Sequence, residues 1–221
     1  MSRDIQANPA NYLSAGDVPS VDLTGNAQTL AAWVRPDTTS GFTLALAKDN
    51  GAFGGCQYIL GINGNVGYFQ IGYASNQIGL QGSIGISAGV WTHILGIQFG
   101  GGLYIFTNGV ANGSVSAGFL PQNTASPFLI GKRDNGSSFD GLIADAAIWD
   151  INLTQEELNA LAKGVSPAMI RRPNLKGYWP LLGLNLATEA DLCGAANAAQ
   201  VGTVPASALR PQGGRWSAFA G

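Results

Sequence analysis

Charge is scarce in this chain. Lys, Arg, Asp and Glu together make up 11% of its 221 residues, and the net charge is −2. Soluble domains ordinarily carry about 25%. The few Lys and Arg are scattered and form no stripe, which argues against nucleic-acid binding, since phosphates must be neutralised by clustered cations. Histidine is nearly missing, with His93 the sole example, and the glutamates number only three: Glu156, Glu157 and Glu189. The two cysteines, Cys56 and Cys193, allow one bridge at most and exclude a disulfide framework; their pairing is left open. No apolar run approaches the ~20 residues of a membrane helix. The longest, residues 94–106, is interrupted by Gln98 and by Gly100–Gly102. The opening MSRDIQANPANY lacks the apolar stretch of a signal peptide, so export by the usual N-terminal route is not expected. Also missing are a phosphate loop, a CxxC pair, HExxH and GxSxG.

What the chain does have is glycine, 32 residues of it, beside an apolar fraction of 46%. That combination suits a many-turned β-protein with a neutral polar surface, and it is too apolar for a disordered chain. Short apolar runs recur at Thr29–Arg35, Phe42–Ala47, Gln57–Ile62, Val66–Tyr73 and Gln77–Ile86. Turn signals separate them: Asp49-Asn50-Gly51 and Asn63-Gly64-Asn65 tolerate the positive φ a hairpin demands. A spacing near ten residues is that of a meander or jelly roll. All of this fits one domain.

The firmest local pattern lies between Pro127 and Gly164. In Gly141–Asp150 the set Leu142, Ala144, Ala146 and Ile148 alternates with Ile143, Asp145, Ala147 and Trp149, predicting a strand with one wholly buried side and one mixed side. Asp145 on the mixed side is read as an edge-exposed aspartate ahead of a ligand or a capped carboxylate. Thr154 and Glu157 then spell a capping box, Leu153 and Leu158 a hydrophobic staple, and Gly164 a stop. One short helix is predicted near 154–163. Further back, Trp91, His93, Leu95, Ile97 and Phe99 fall on one strand face, so His93 reads as a core histidine hydrogen-bonded within the sandwich, between its sheets.

The run Gly141, Ile143, Asp145, Ile148, Trp149, Asp150 followed by Leu153, Glu157 and Leu158 resembles the closing segment of laminin-G-like and pentraxin-like domains, members of the concanavalin A-like superfamily. The W-x-H strand at Trp91 and the Asn108-Gly109 turn are similar too. The resemblance implies an all-β jelly-roll sandwich of two antiparallel sheets. In the family a segment like Tyr178, Trp179, Leu181, Asp191, Gly194 and Asn197 usually opens the domain; here it closes the chain, with Cys193 where serine is usual. The expected organisation is an N-terminal arm over 1–12, a single sandwich over 13–204 with its opening segment permuted to 176–204, and a C-terminal tail over 205–221.

Glycosidases of this fold set paired carboxylates along one strand, typically as E-x-D-x-x-E, and no such run occurs here, so no catalytic residues are assigned and no enzyme is expected. Calcium is common in the family, and the loop Gly131–Asp140 offers oxygens; its carboxylates are sparser than the pentraxin equivalent, so no metal or other cofactor is assigned and calcium is left open. The candidates for ligand binding are Asp134, Asn135 and Asp140 in that loop, and Tyr73 with Asn76. Arg215, Trp216 and Phe219 are candidates for docking on a partner.

Three functional readings follow by fold-level analogy. The first is a non-catalytic module on a bacteriophage virion surface (capsid decoration, head fibre or tail protein) that adheres to glycans. Its partners would be other virion proteins or its own copies, as a homo-oligomer joined through terminal arms, with no nucleic acid and no membrane insertion. The second is an exported or cell-surface carbohydrate-binding lectin. The third is a degenerate glycosidase.

Overall fold

The computed structural model describes residues 1–211 except 7, 9, 53, 135, 183–186 and 195. Asn135, Arg215, Trp216 and Phe219 therefore lie outside the described residues. In chain order the strands are β1 (Ser2–Ile5), β2 (Tyr12–Gly16), β3 (Ala27–Pro36), β4 (Phe42–Asp49), β5 (Cys56–Asn63), β6 (Val66–Tyr73), β7 (Asn76–Gly85), β8 (Thr92–Phe99), β9 (Gly102–Thr107) and β10 (Val110–Ser116). After these come β11 (Phe128–Ile130), β12 (Gly141–Trp149), the helix α1 (Gln155–Ala162), β13 (Leu175–Trp179), β14 (Thr188–Glu189), β15 (Ala198–Val201) and β16 (Ala206–Ser207).

They form two antiparallel sheets, the expected jelly-roll sandwich. Sheet A runs β10-β9-β8-β3-β12-β1-β16, with β13 also on β12. Sheet B runs β14-β15-β2-β11-β4-β5-β6-β7. Between them Leu30, Val34, Leu60, Phe69, Ile94, Phe128 and Trp179 make the main core. Trp179 stacks on Phe128 at 4.6 Å between ring centroids and donates its indole N–H to the Ala196 carbonyl, so its polar end is satisfied as well as its ring.

Helix α1 covers a second apolar layer on the outside of sheet A. Leu158 and Leu161 pack with Ala31, Leu95, Ile97, Ala147 and Trp149. The predicted cap is present in both directions, Thr154 accepting from the Glu157 amide and Glu157 from the Thr154 amide. Because the helix shields the outer face, β12 is buried on both sides.

Three expectations need correction. The 1–12 arm is not free: β1 inserts between β12 and β16, and its Arg3 is fully buried, paired to Glu189 and donating to the Val204 carbonyl at 2.7 Å. The terminal segments are thus stitched together across the sandwich by a buried ion pair. Second, β12 does not alternate throughout. A bulge between Ala144 and Ala147 shifts its phase, so Ile143 before it and Ala146 and Ile148 after it all face the main core. Third, His93 is buried outside sheet A rather than between the sheets: its ring lies 5.2 Å from that of Trp33, and Trp33 neighbours the layer under α1. Burial holds its imidazole neutral, lowering the pKa to about 3. Cys56 and Cys193 are unpaired.

Candidate functional site

Each described ligand candidate from the sequence makes a local contact. The loop 131–139 folds back on itself through the Phe139 amide to the Gly131 carbonyl, 2.7 Å, and a bridge between Lys132 and Ser138. It is pinned to the end of β4 by Arg133 against Asp49 at 3.6 Å and by the Asp134 amide on the Asp49 carbonyl at 3.2 Å. Asp134 itself is exposed. The Asp140 carbonyl accepts from the Asp37 amide, 2.8 Å, on the far side of the loop. Tyr73 is no open platform, because Phe119 lies flat on it, 3.2 Å between centroids at 13°. Asn76 follows the left-handed Ala74 and Ser75, and its side chain accepts from the Gln77 amide, which is turn chemistry. Among the described residues no group of three His, Cys, Asp or Glu side chains could hold a metal ion.

The site with built geometry is elsewhere, at Asp145. One edge of β12 is covered end to end by two short strands, β1 along Gly141–Ile143 and β13 along Ala146–Trp149. Asp145 falls in the gap between them, at the bulge. Its backbone is left-handed, φ 48°, and its amide reaches the Pro180 carbonyl at 3.4 Å. Leu181 beside it is left-handed too, φ 55°. Aspartate tolerates this region better than most residues but still at a cost, and such outliers cluster at functional sites.

A cavity of about 140 Å³ opens over the gap, lined by Trp33, Asp145, Tyr178, Pro180, Leu182 and Arg210 among others. The Tyr178 hydroxyl donates to the Asp145 carboxylate at 2.7 Å and accepts from Ser166 at 3.3 Å. Among the described residues that hydroxyl is the carboxylate's one hydrogen-bond donor, against about four lone-pair sites, and no ion pair reaches it. Burial pushes the Asp145 carboxyl above its ordinary range, with the Tyr178 hydrogen bond and nearby positive charge, Arg210 included, pulling the other way. Burial and then the neighbouring carboxylate also raise the Tyr178 phenol. The site combines aromatic walls, a carboxylate with acceptor capacity to spare and a guanidinium at the rim. Among the described residues, Asp145 is the one carboxylate that lines it.

The concanavalin A-like lectin/glucanases superfamily model (Laminin_G_3) matches residues 9–159. The chain belongs to this family. No match was found among curated proteins. A putative carbohydrate binding protein from Bacteroides ovatus superposes with a TM-score of 0.71 at 18% identity, over 94% of this chain and 60% of that one. This chain thus spans three fifths of that relative. The native heptameric SAP-like pentraxin from Limulus polyphemus gives 0.60 at 17% identity, over 94% and 95% of the two chains. The CBM40 of Ruminococcus gnavus IT-sialidase, bound to α2,3-sialyllactose, gives 0.56 at 13%, over 73% and 96%. Likeness at these identities establishes the shared sandwich of the family.

Sequence reasoning missed Trp33, Asp145 and Tyr178 as a set, having read Asp145 as an exposed edge. The available signal was an aspartate inside an otherwise apolar stretch, Ile143 to Trp149, with no glycine or turn residue to excuse it.

Proposed function

We propose that the chain is a non-catalytic carbohydrate-binding module whose Asp145 cavity takes one sugar residue. The cavity carries the reading. A sugar offers an apolar C–H face suited to Trp33 and Tyr178 and hydroxyls suited to the spare acceptors of Asp145 and the donors of Arg210. Two structural relatives described as carbohydrate-binding or captured with a sialylated sugar support the ligand class. The single carboxylate supports binding without cleavage. This favours the lectin reading, exported or surface-displayed, over the virion one, which leaned on free terminal arms; the N-terminal arm is a buried strand.

A glycan array followed by calorimetry tests it. The hit should bind wild-type protein and emerge unhydrolysed. Asp145→Asn, which keeps the left-handed backbone, should weaken binding roughly tenfold or more, the loss of one charge-assisted hydrogen bond at about 1.5–3 kcal/mol. Wild-type affinity should also fall as acid protonates Asp145, beginning above the ordinary carboxylate range. An Asp145→Asn variant that binds every array hit with wild-type affinity would sink the assignment.

A further inference from the structure

We propose a second carbohydrate-stacking site at the other end of sheet A, formed by Phe99 and Tyr104 and selective for uncharged sugar rings. It takes only its ligand class from the reading above and shares no residue with the Asp145 cavity.

Phe99 and Tyr104 are the only aromatic members of the exposed large apolar side chains among the described residues, at 47% and 39% exposure. They are neighbours. In the β8–β9 hairpin Phe99 pairs with Gly102 and Ile97 with Tyr104, so the two rings stand diagonally on one face. That face is the outer one, since Leu95 and Ile97 along the same strand lie in the layer under α1. Phe99 is not part of that layer.

Glycine shapes the platform. A Cβ on Gly102 would sit 2.8 Å from the Tyr104 hydroxyl and 3.0 Å from its ring. With no side chain at 102, Tyr104 lies along the hairpin instead of standing away from it. A shallow depression of about 200 Å³ adjoins the ring, lined by Gly100–Gly102, Tyr104 and Ser114–Ser116. It offers an aromatic surface, two serine hydroxyls and glycine backbone, and among the described residues no ionisable side chain other than the Tyr104 phenol lines it.

That composition selects the occupant. A stable protein interface removes about 800 Å² from each partner, and two rings set among glycine and serine cannot anchor that much. One sugar ring needs only an aromatic face and a few hydrogen-bonding groups. The absence of charge in the lining points to a neutral sugar, in contrast to the Asp145 cavity with its carboxylate and guanidinium.

Affinity electrophoresis through gels carrying a neutral β-glucan or galactomannan tests the site. Wild-type protein should be retarded, and Phe99→Ala/Tyr104→Ala should lose retardation tenfold or more with an unchanged melting temperature. Asp145→Asn should keep it. The inference is overturned if none of the neutral polysaccharides retards wild-type protein, or if the double variant runs as wild type. It is equally overturned if the double variant changes the oligomeric state by light scattering, which would make the rings an interface between copies. If Asp145→Asn abolishes every interaction and the double variant none, the cavity reading stands and the platform falls. The reverse pattern removes the cavity and leaves the platform.

Discussion

At Asp145 the outer face of sheet A is hollow, charged and strained; at Phe99 and Tyr104 it is shallow, neutral and relaxed. Six residues of β3 separate the two, since Trp33 lies at one site and Ala27 pairs with Phe99 at the other, which is about 20 Å of strand. Helix α1 sits between them. The cavity exists only because β1 and β13 meet imperfectly along β12, so it depends on one pairing between segments more than a hundred residues apart, β1 with β12, and on the shorter-range pairing of β12 with β13. The platform is made by one hairpin. A long-range site can hold a desolvated carboxylate in an unfavourable backbone conformation because the surrounding sheet over-determines it. A hairpin at the rim can offer only what its own few residues supply, and here that is two rings and a missing side chain.

The harshest way to break the comparison is to undock β1. Arg3→Met leaves Glu189 buried without its partner, and removing one member of a buried pair costs about 3–5 kcal/mol. Urea unfolding should show that loss. Arg3→Met/Glu189→Met should recover most of it, because well-packed apolar side chains replace such pairs at little cost. In whatever fraction remains folded, binding through Asp145 should suffer and binding through Tyr104 should not.

Next in size is acid. His93 is neutral in the fold, its pKa lowered from 6.5 to about 3, and takes a proton freely once unfolded. The unfolded state therefore binds more protons across that window, so the group removes stability as pH falls from 6.5 toward 3. The contribution is on the order of 3 kcal/mol. His93→Gln should flatten the slope of stability against pH in this range, measured by chemical denaturation at each pH; identical slopes would show that the ring is already solvated beside Trp33.

Asp145→Gly turns the strain itself into an observable. Glycine adopts positive φ freely, and the variant also removes a carboxylate whose pKa burial has raised. The sign is the reverse of the usual aspartate. With the folded pKa above the unfolded one, the wild-type group favours folding at low pH and loses that contribution as pH rises through the folded value. Asp145→Gly should hence be more stable than wild type by about 1–2 kcal/mol at neutral pH, with the gap closing in acid, while sugar binding at the cavity is lost. A stabilised but inactive variant is the signature of strain kept for function.

These positions also divide what could be read in the sequence from what could not. The capping box at Thr154 and Glu157, the Asn63-Gly64-Asn65 turn and the strand spacing are local, and each reappears in the structure, Gly64 with φ 64°. A meander or jelly roll followed from the spacing, and the two-sheet sandwich from the family resemblance. Asp145 was read with the wrong exposure because strict alternation has no place for a bulge, and a bulge is set by the partner strands. Arg3 looked like part of a polar arm, since nothing near it in sequence discloses Glu189, 186 positions on. Phe99 was assigned to a buried face by a sound period, yet a strand can outrun the helix that covers it. Tyr73 shows the converse: its loop-like polarity suggested exposure, and Phe119 covers it. At Phe99 and Tyr73 the period was legible and the cover was not.

The smallest expected effect is at Gly102, and it is the sharpest test of the platform. A methyl group there meets the hydroxyl end and outer ring carbons of Tyr104, the free part of a flexible side chain rather than backbone. The ring can swing away, so Gly102→Ala should change stability by less than about 1 kcal/mol. It leaves both aromatic residues in place and alters only how Tyr104 lies. If stacking on a ring held along the hairpin is what binds neutral sugar, Gly102→Ala should weaken retardation in the polysaccharide gel nearly as much as Tyr104→Ala. If exposed aromatic surface of any orientation suffices, Gly102→Ala should run as wild type, and the depression beside Ser114 and Ser116 has no part in recognition. The two outcomes separate a shaped site from a greasy one without disturbing the cavity at the other end of the sheet.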